Sequence, residues 1–313
     1  MTTGFITHPA CLDHLVPPGH PERVERLQAV LGALEERAFP RLVRIAAPAA
    51  AREDLLRVHA PFLIDNILSA RVAPGQYLRI DADTAMSPGS AEAALRAAGA
   101  VTAAVDAVMS GRLDNAFCAV RPPGHHAERA RAMGFCLFNN IAVGALQARA
   151  IYGLQRIAVV DFDVHHGNGT QDIFCDDADL FYASTHQFPL YPGTGRSAER
   201  GIADNIVNAP LAPGAGSADF RSAFDNLILP ALEAFSPQFV FISAGFDAHR
   251  SDPLASLQLV ESDFGWATEQ ICAVAGRVCG RRVVSALEGG YDLDALARSA
   301  AAHVEAMIAC SEC

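Results

Sequence analysis

The feature that most constrains this chain is a repeated alternation of short apolar runs with longer stretches of helical period. The apolar runs are Leu42 to Ile45, Ala116 to Val120, Ile157 to Val160, Leu180 to Ala183, Phe239 to Ile242 and Val283 to Ala286. Runs of this kind, without polar alternation, read as strands buried on both faces. Helical patterns cover Pro21 to Arg37, Pro88 to Ser110, Ile141 to Tyr152, Ala218 to Phe235, Ser262 to Gly280 and Leu293 to Ala309. Pro21 falls in the opening turn of the first, where a helix tolerates proline. The alternation predicts right-handed βαβ units, hence an α/β fold with a central, mostly parallel sheet and helices on both faces. No repeat, low-complexity tract or linker interrupts it. The chain therefore reads as a single domain over 1–313, large enough to bury a core without disulfides or metal.

Composition narrows the partners. A net charge of −11 argues against a phosphate-binding surface, so no nucleic-acid partner is expected. The opening residues MTTGFITHPACLDHLVPPGH lack the basic and apolar regions of a signal peptide, and no apolar stretch reaches a membrane span. A cytoplasmic protein with no membrane partner is the expectation, with homo-oligomerisation left open. Of the 8 cysteines, Cys118, Cys136 and Cys279 lie in apolar surroundings, where free thiols act as small hydrophobes. Cys310 and Cys313 form a C-x-x-C with no second pair at zinc-finger spacing, so a metal or redox role is the lesser reading.

The unusual polar residues follow the carboxyl ends of four predicted strands. RPPGHH follows Val120, DFDVHHGNGT follows Val160, SAGFDAHRSDP follows Ile242 and LEGGYD follows Ala286. That edge of an open parallel sheet is where ligands bind, and the glycines permit close backbone approach. Four loops thus predict one composite site.

Asp163 and His165 are two apart just past a strand, so extended backbone turns both side chains to one side. A carboxylate beside an imidazole suits zinc, and Asp247 after another strand is the best third ligand, leaving one position open for water. Arginase-like chemistry is the competitor, because it also places Asp and His at strand ends. Its second metal would need acids at 167 and 245, where this chain has Gly167 and Gly245, so a mononuclear site is expected. His125 and His126 sit on a stiff Pro-Pro-Gly turn and suit the work of general base and acid. Asp161 and Asn168 could supply them with one charged and one neutral partner. Tyr291, after Glu288-Gly289-Gly290, could donate a hydrogen bond to a developing oxyanion.

These segments carry a family resemblance. RPPGHH, GFCLFNN (134–140), DFDVHHGNGTQ (161–171), YPGTG (191–195), SAGFDAHRSDPLA and LEGGYDL resemble the zinc-dependent histone deacetylase and acetylpolyamine amidohydrolase family. The likeness runs from Gly19-His20-Pro21-Glu22 to beyond Leu293. It implies the arginase–deacetylase fold, with a parallel sheet of about eight strands. It implies Asp163, His165 and Asp247 as ligands of one zinc ion, and His125 and His126 as the catalytic pair, partnered by Asp161 and Asn168. It also implies Tyr291 as the tyrosine that polarises the carbonyl. Asn168, where other members have Asp, is similar to the class II branch. Phe135, next to Gly134, and Tyr191 match the aromatic walls of a substrate channel, and Asp83 matches a rim residue. Asp161, Asp163, His165 and Ser184 match a structural potassium site.

The expected reaction is hydrolysis of an N-acyl amide, with acetyl-lysine or a similar small or peptide-borne acylated amine as substrate. Acetylpolyamines and xenobiotic amides are rival substrates, and an acyl-lysine reader without catalysis is the non-enzyme alternative. Relatives of the last kind carry His in place of the tyrosine, so Tyr291 speaks for an enzyme. Polyamine-selective relatives carry Glu directly after Asp-Pro of the third loop. Here Leu254 follows Asp252-Pro253, which favours a neutral stem.

Overall fold

The computed structural model describes residues 2–312, with side chains to 310; Cys313 lies outside the described residues. Among the described residues ten strands form: β1 (Thr3–Thr7), β2 (Leu42–Ala46), β3 (Leu78–Arg79), β4 (Ala85–Met86), β5 (Asn115–Cys118), β6 (Ile157–Asp161), β7 (Leu180–Gln187), β8 (Ile206–Leu211), β9 (Phe239–Ala244) and β10 (Val283–Leu287). Eight make one sheet in the order β2-β1-β5-β10-β9-β6-β7-β8, and every neighbouring pair in it is parallel. Strands β3 and β4 form a separate antiparallel pair.

All six predicted strands are present, with two corrections to the reading. Leu42–Ala46 is an edge strand with only Leu42 buried, not a doubly covered one. Two sheet strands escaped notice. In β1 the apolar signal is only Phe5 and Ile6, beside a Gly4 whose Cβ would sit 2.4 Å from Leu113 Cδ1. In β8 the pattern is broken by Asn208 and Pro210, and the latter is tolerated because β8 is the other edge.

The predicted helices form as Val24–Ala33, Ser90–Met109, Asn140–Tyr152, Glu261–Val278, Leu293–Glu312 and a run over 217–235. That run is two helices joined by a π turn at Phe224–Ile228, which ends two residues before Pro230, a residue that cannot donate to the helix ladder. The first helix starts three residues later than Pro21, because the chain there turns Glu22 inward: its N–H donates to His20 Nδ1 and its carboxylate meets buried arginines. The core is continuous and includes Phe117, Val159, Phe241 and Val284, with the Ala-rich helix Ser90–Met109 packed against β5, β1 and β10. Among the described residues no helix is long and apolar enough to cross a membrane.

One consequence of the topology governs the site. Strands β5, β10, β9 and β6 are four consecutive neighbours in the middle of the sheet. Their ends lie level, since Cys118 pairs with Ala286, Ala286 with Ser243, and Ser243 with Asp161. The four polar loops therefore leave one edge side by side.

Candidate metal centre and its surroundings

Asp163, His165 and Asp247 come together as a group able to hold a metal ion, with one ligand atom from each lying within 4.8 Å of the others. His165 Nδ1 is 3.1 Å from Asp163 Oδ1 and 3.2 Å from Asp247 Oδ2. Backbone N–H groups fix the carboxylates: Gly289 donates to Asp163 Oδ2 at 2.8 Å, and Val164 to Asp247 Oδ1 at 2.8 Å. All three residues are buried, and burial opposes charge on His165. The two carboxylates nevertheless overcome it and push that imidazole up to about 10. A buried site with this excess of negative charge is stabilised by a cation, and its oxygen–nitrogen donor set suits a divalent transition metal.

Glycine makes the approach feasible. A Cβ at Gly289 would stand 2.0 Å from Asp247 Oδ2 and 2.5 Å from Asp163 Oδ2, and one at Gly245 would stand 2.1 Å from Asp163 Oδ2. Gly245 is also where a second metal would need its acid, so no side chain fits there without displacing Asp163.

The two neighbouring imidazoles are placed in contrasting environments. His125 Nδ1 lies 3.0 Å from Asp161 Oδ2, and its Nε2 is 3.8 Å from Asp163 Oδ1. Burial works against its charge, but Asp163 and then Asp161 prevail and raise it to about 10. His126 Nδ1 lies 2.8 Å from Asn168 Oδ1. The amide orientation is set because Asn168 Nδ2 donates to Glu128 Oε1 at 2.7 Å, so His126 donates from Nδ1 and leaves Nε2 free to accept. Burial, followed by the charges of His125 and His165, holds His126 well below the ordinary histidine range.

Around this centre stand the aromatic residues. Tyr191, over a third exposed, packs edge-on to His126 at 5.1 Å and to His165 at 6.3 Å. Phe135 is edge-on to Tyr291 at 6.0 Å and to His20 at 4.7 Å. Phe135 has φ 69, a conformation costly for a residue with a side chain, and its N–H donates to Thr84 Oγ1, which donates to Asp83 Oδ1. Gly134 precedes it at φ 57, where a Cβ would lie 2.5 Å from the His126 ring. The loop carrying Asp83 and Thr84 is thus hydrogen-bonded to the backbone of Phe135.

Tyr291 is held from behind. Arg26 lies over its ring at 4.8 Å and donates to the carbonyls of Glu288 and Gly290, both at 2.5 Å. Arg26 in turn pairs with Glu22 at 2.9 Å, and Arg121 binds the same carboxylate through Nε at 2.5 Å and Nη2 at 2.8 Å. All three charges are buried and mutually satisfied. Asp252 Oδ2 accepts the Tyr291 N–H at 2.7 Å.

Two sequence-singled residues are less tightly joined to the centre. Ser184 pairs with Asp161 across β6 and β7, but its hydroxyl meets His186 Nδ1 at 2.9 Å. Leu254 is half-buried with its N–H donated to Asp252 Oδ1; it is Pro253 that shares with Tyr291 the wall of a cleft of about 550 Å³. Sequence reasoning missed Glu288, Arg26 and Arg121. Glu288 Oε2 accepts the N–H of Gly124 at 2.6 Å and of His125 at 3.1 Å, and burial pushes it up to about 7. A charged residue inside an apolar, glycine-flanked strand end was the available signal for Glu288 and Arg121. For Arg26, on a helix, there was none.

An eight-stranded parallel sheet bearing at one edge a carboxylate–imidazole metal group and a paired-histidine turn defines the arginase–deacetylase class of fold. Within it the chain belongs to the histone deacetylase family: residues 20–307 match the Histone deacetylase domain. It is 39% identical over 300 residues to a probable deacetylase of Archaeoglobus fulgidus, covering 94% of this chain and 82% of that one. It is 41% identical to a histone deacetylase-like amidohydrolase of Pseudomonas aeruginosa, covering 92% and 75%. The crystal structure of the HDA15 HD domain matches with a TM-score of 0.92 at 38% identity, over 98% of this chain and 88% of that one. The protein is accordingly a hydrolase of the deacetylase type, acting on amide bonds of acylated amines.

Proposed function

We propose that the chain, acting as one catalytic unit over 1–313, uses a single zinc ion to deacylate acetyl-lysine in a peptide or a similar small acylated amine. The observation that carries this reading is the convergence of Asp163, His165 and Asp247 within 4.8 Å beside the His125–His126 pair. The crowding at Gly245, and at Gly167, where a Cβ would lie 2.4 Å from Asp161 Oδ2, supports one metal rather than two. Bound there, zinc would polarise the amide carbonyl and lower the pKa of water toward about 7.

The protein's own groups supply the rest. His126 Nε2 takes the water proton, its ring oriented by the Nδ1–H donated to Asn168 Oδ1. His125, tied to Asp161, acts chiefly through the charge that this carboxylate favours on its ring. The Tyr291 hydroxyl donates to the oxyanion, and the proton held on His126 passes to the leaving amine. Tyr191, Phe135 and Gly134 confine the substrate stem, with Asp83 at the rim. A potassium ion held by Asp161, Asp163, His165 and Ser184 belongs to the same reading, supported by the pairing of Asp161 with Ser184. A cytoplasmic setting is supported by the cysteines, all free among the described residues. A neutral or peptide-borne stem is favoured over an acetylpolyamine by Leu254, which offers no charge to a distal ammonium.

Metal analysis of the purified chain tests the reading. One zinc per active chain is expected, lost in Asp163→Ala, His165→Ala and Asp247→Ala alike. Two manganese ions per active chain would overturn it.

A further inference from the structure

The C-terminal helix Leu293–Glu312 packs along Glu261–Val278, and a cavity of about 550 Å³ opens between them. Its lining includes Cys272, Cys310, Glu269, Arg277 and Arg281. Cys272 is buried and Cys310 is half-buried, so Cys310 is the more accessible of the two. The two cysteines line this one cavity from facing, packed helices. Arg277 is engaged by Glu233 at 2.7 Å, which leaves Arg281 as the cation beside Cys310. Both helices run back from the catalytic edge, as βαβ crossovers do, so the pair lies toward the opposite edge of the sheet. None of these residues takes part in the chemistry described above.

We infer that Cys310 and Cys272 form a site of oxidative modification, in which a hydroperoxide oxidises Cys310 and Cys272 closes a disulfide onto it. The arrangement has the two elements such a site requires, an accessible thiol in an electropositive setting and a second thiol in reach. Hydrogen bonding with Cys272 and the Arg281 charge draw the Cys310 thiol below the ordinary range, against the effect of burial. In the first step the Cys310 thiolate attacks a peroxide oxygen. The O–O bond breaks, Cys310 becomes a sulfenic acid, and hydroxide or alkoxide departs and is protonated by water. In the second, Cys272 sulfur attacks Cys310 sulfur. The S–O bond breaks, the S–S bond forms, and the hydroxyl leaves with the Cys272 proton as water. Two thiols are oxidised by two electrons and one peroxide is reduced.

The test uses the full reduced chain, treated with hydrogen peroxide, alkylated and mapped by mass spectrometry without reduction. A Cys272–Cys310 linked peptide is expected, with Cys310 reacting roughly tenfold faster than the half-buried Cys175, whose thiol is raised by burial. In Cys272→Ala the disulfide should vanish and a 1,3-dione should capture sulfenic acid at Cys310. In Cys310→Ser, a milder change at a half-buried position, Cys272 should stay reduced and deacylation should be unaltered. The inference is overturned if Cys310 links instead to Cys313 or Cys279. It is equally overturned if both thiols remain alkylatable at a peroxide dose that oxidises Cys175, or if no sulfenic acid is captured in Cys272→Ala.

Discussion

Gly289→Ala is a single-methyl test of the proposed metal centre. The added Cβ would stand 2.0 Å from Asp247 Oδ2 and 2.5 Å from Asp163 Oδ2, against an ordinary contact of 3.4 Å or more. Neither oxygen can yield freely. Asp163 Oδ2 is bonded to the N–H of residue 289 itself, and Asp247 is pinned through Oδ1 by Val164. The backbone of 289 cannot retreat either, because Arg26 holds the carbonyls on both sides of it. Gly289 does not occupy the left-handed region, so alanine adds no backbone strain and the effect is confined to the ligands. One or both carboxylates must shift by about an ångström, where zinc tolerates about 0.2 Å. Indirect disturbance of ligands typically costs about 10–100-fold in metal affinity, and a direct collision with two ligands should reach at least the upper end. Competition against a fluorescent zinc chelator, with circular dichroism to verify the fold, measures this. A folded Gly289→Ala chain with wild-type zinc affinity and turnover would refute the reasoning, and with it the assignment of Asp163 and Asp247 as ligands.

Tyr291→Phe should lower kcat by roughly 100- to 1,000-fold with zinc still bound, since only the oxyanion donor is removed; near-normal turnover would make the tyrosine a packing residue. Wild type should show higher kcat/KM for an acetyl-lysine peptide than for N8-acetylspermidine at raised salt, with Leu254→Glu shifting the ratio toward the polyamine. If that substitution is inert, selectivity lies with the cleft wall of Pro253 and Tyr291 or with Asp83. Stability should respond to acid through His303, which burial lowers to about 3 between Thr268 Oγ1 at 2.6 Å and Ser285 Oγ at 2.8 Å. Because the folded value is depressed, its contribution is complete above the unfolded pKa of about 6.5 and is lost as pH falls toward 3. The stability difference between wild type and His303→Asn should therefore shrink by about 1.4 kcal/mol per pH unit below 6.5 in urea titrations, and a constant difference would contradict it.

Local chemistry made much of this protein legible in one dimension. Buried parallel strands must be nearly all apolar, so six of the eight sheet strands announced themselves, and the loops that follow four of them stood out as polar and glycine-rich. Asp163 and His165 could be paired because the two-residue period of extended chain is a local rule. Strands β1 and β8 were missed for the converse reason, since neither is uniformly apolar: interior β1 offers only Phe5 and Ile6, and the edge strand β8 carries Asn208 and Pro210.

What only the tertiary structure decided are relations between distant segments. The order β5-β10-β9-β6 brings together residues 121–126, 161–168, 243–247 and 288–291, and no local pattern encodes strand order. Glu22 and Arg26 look like ordinary surface charges in sequence, and nothing there joins them to Arg121. Packing alone turns them into a buried, fully paired cluster that fixes the turn carrying Tyr291. The placing of Leu254 is likewise a tertiary matter, because its loop is anchored by Asp252, which accepts the N–H groups of both Leu254 and Tyr291. The identities of the reacting groups are written in the chain. Their distances, charges and protonation arise only when burial removes water and leaves them no partners but one another.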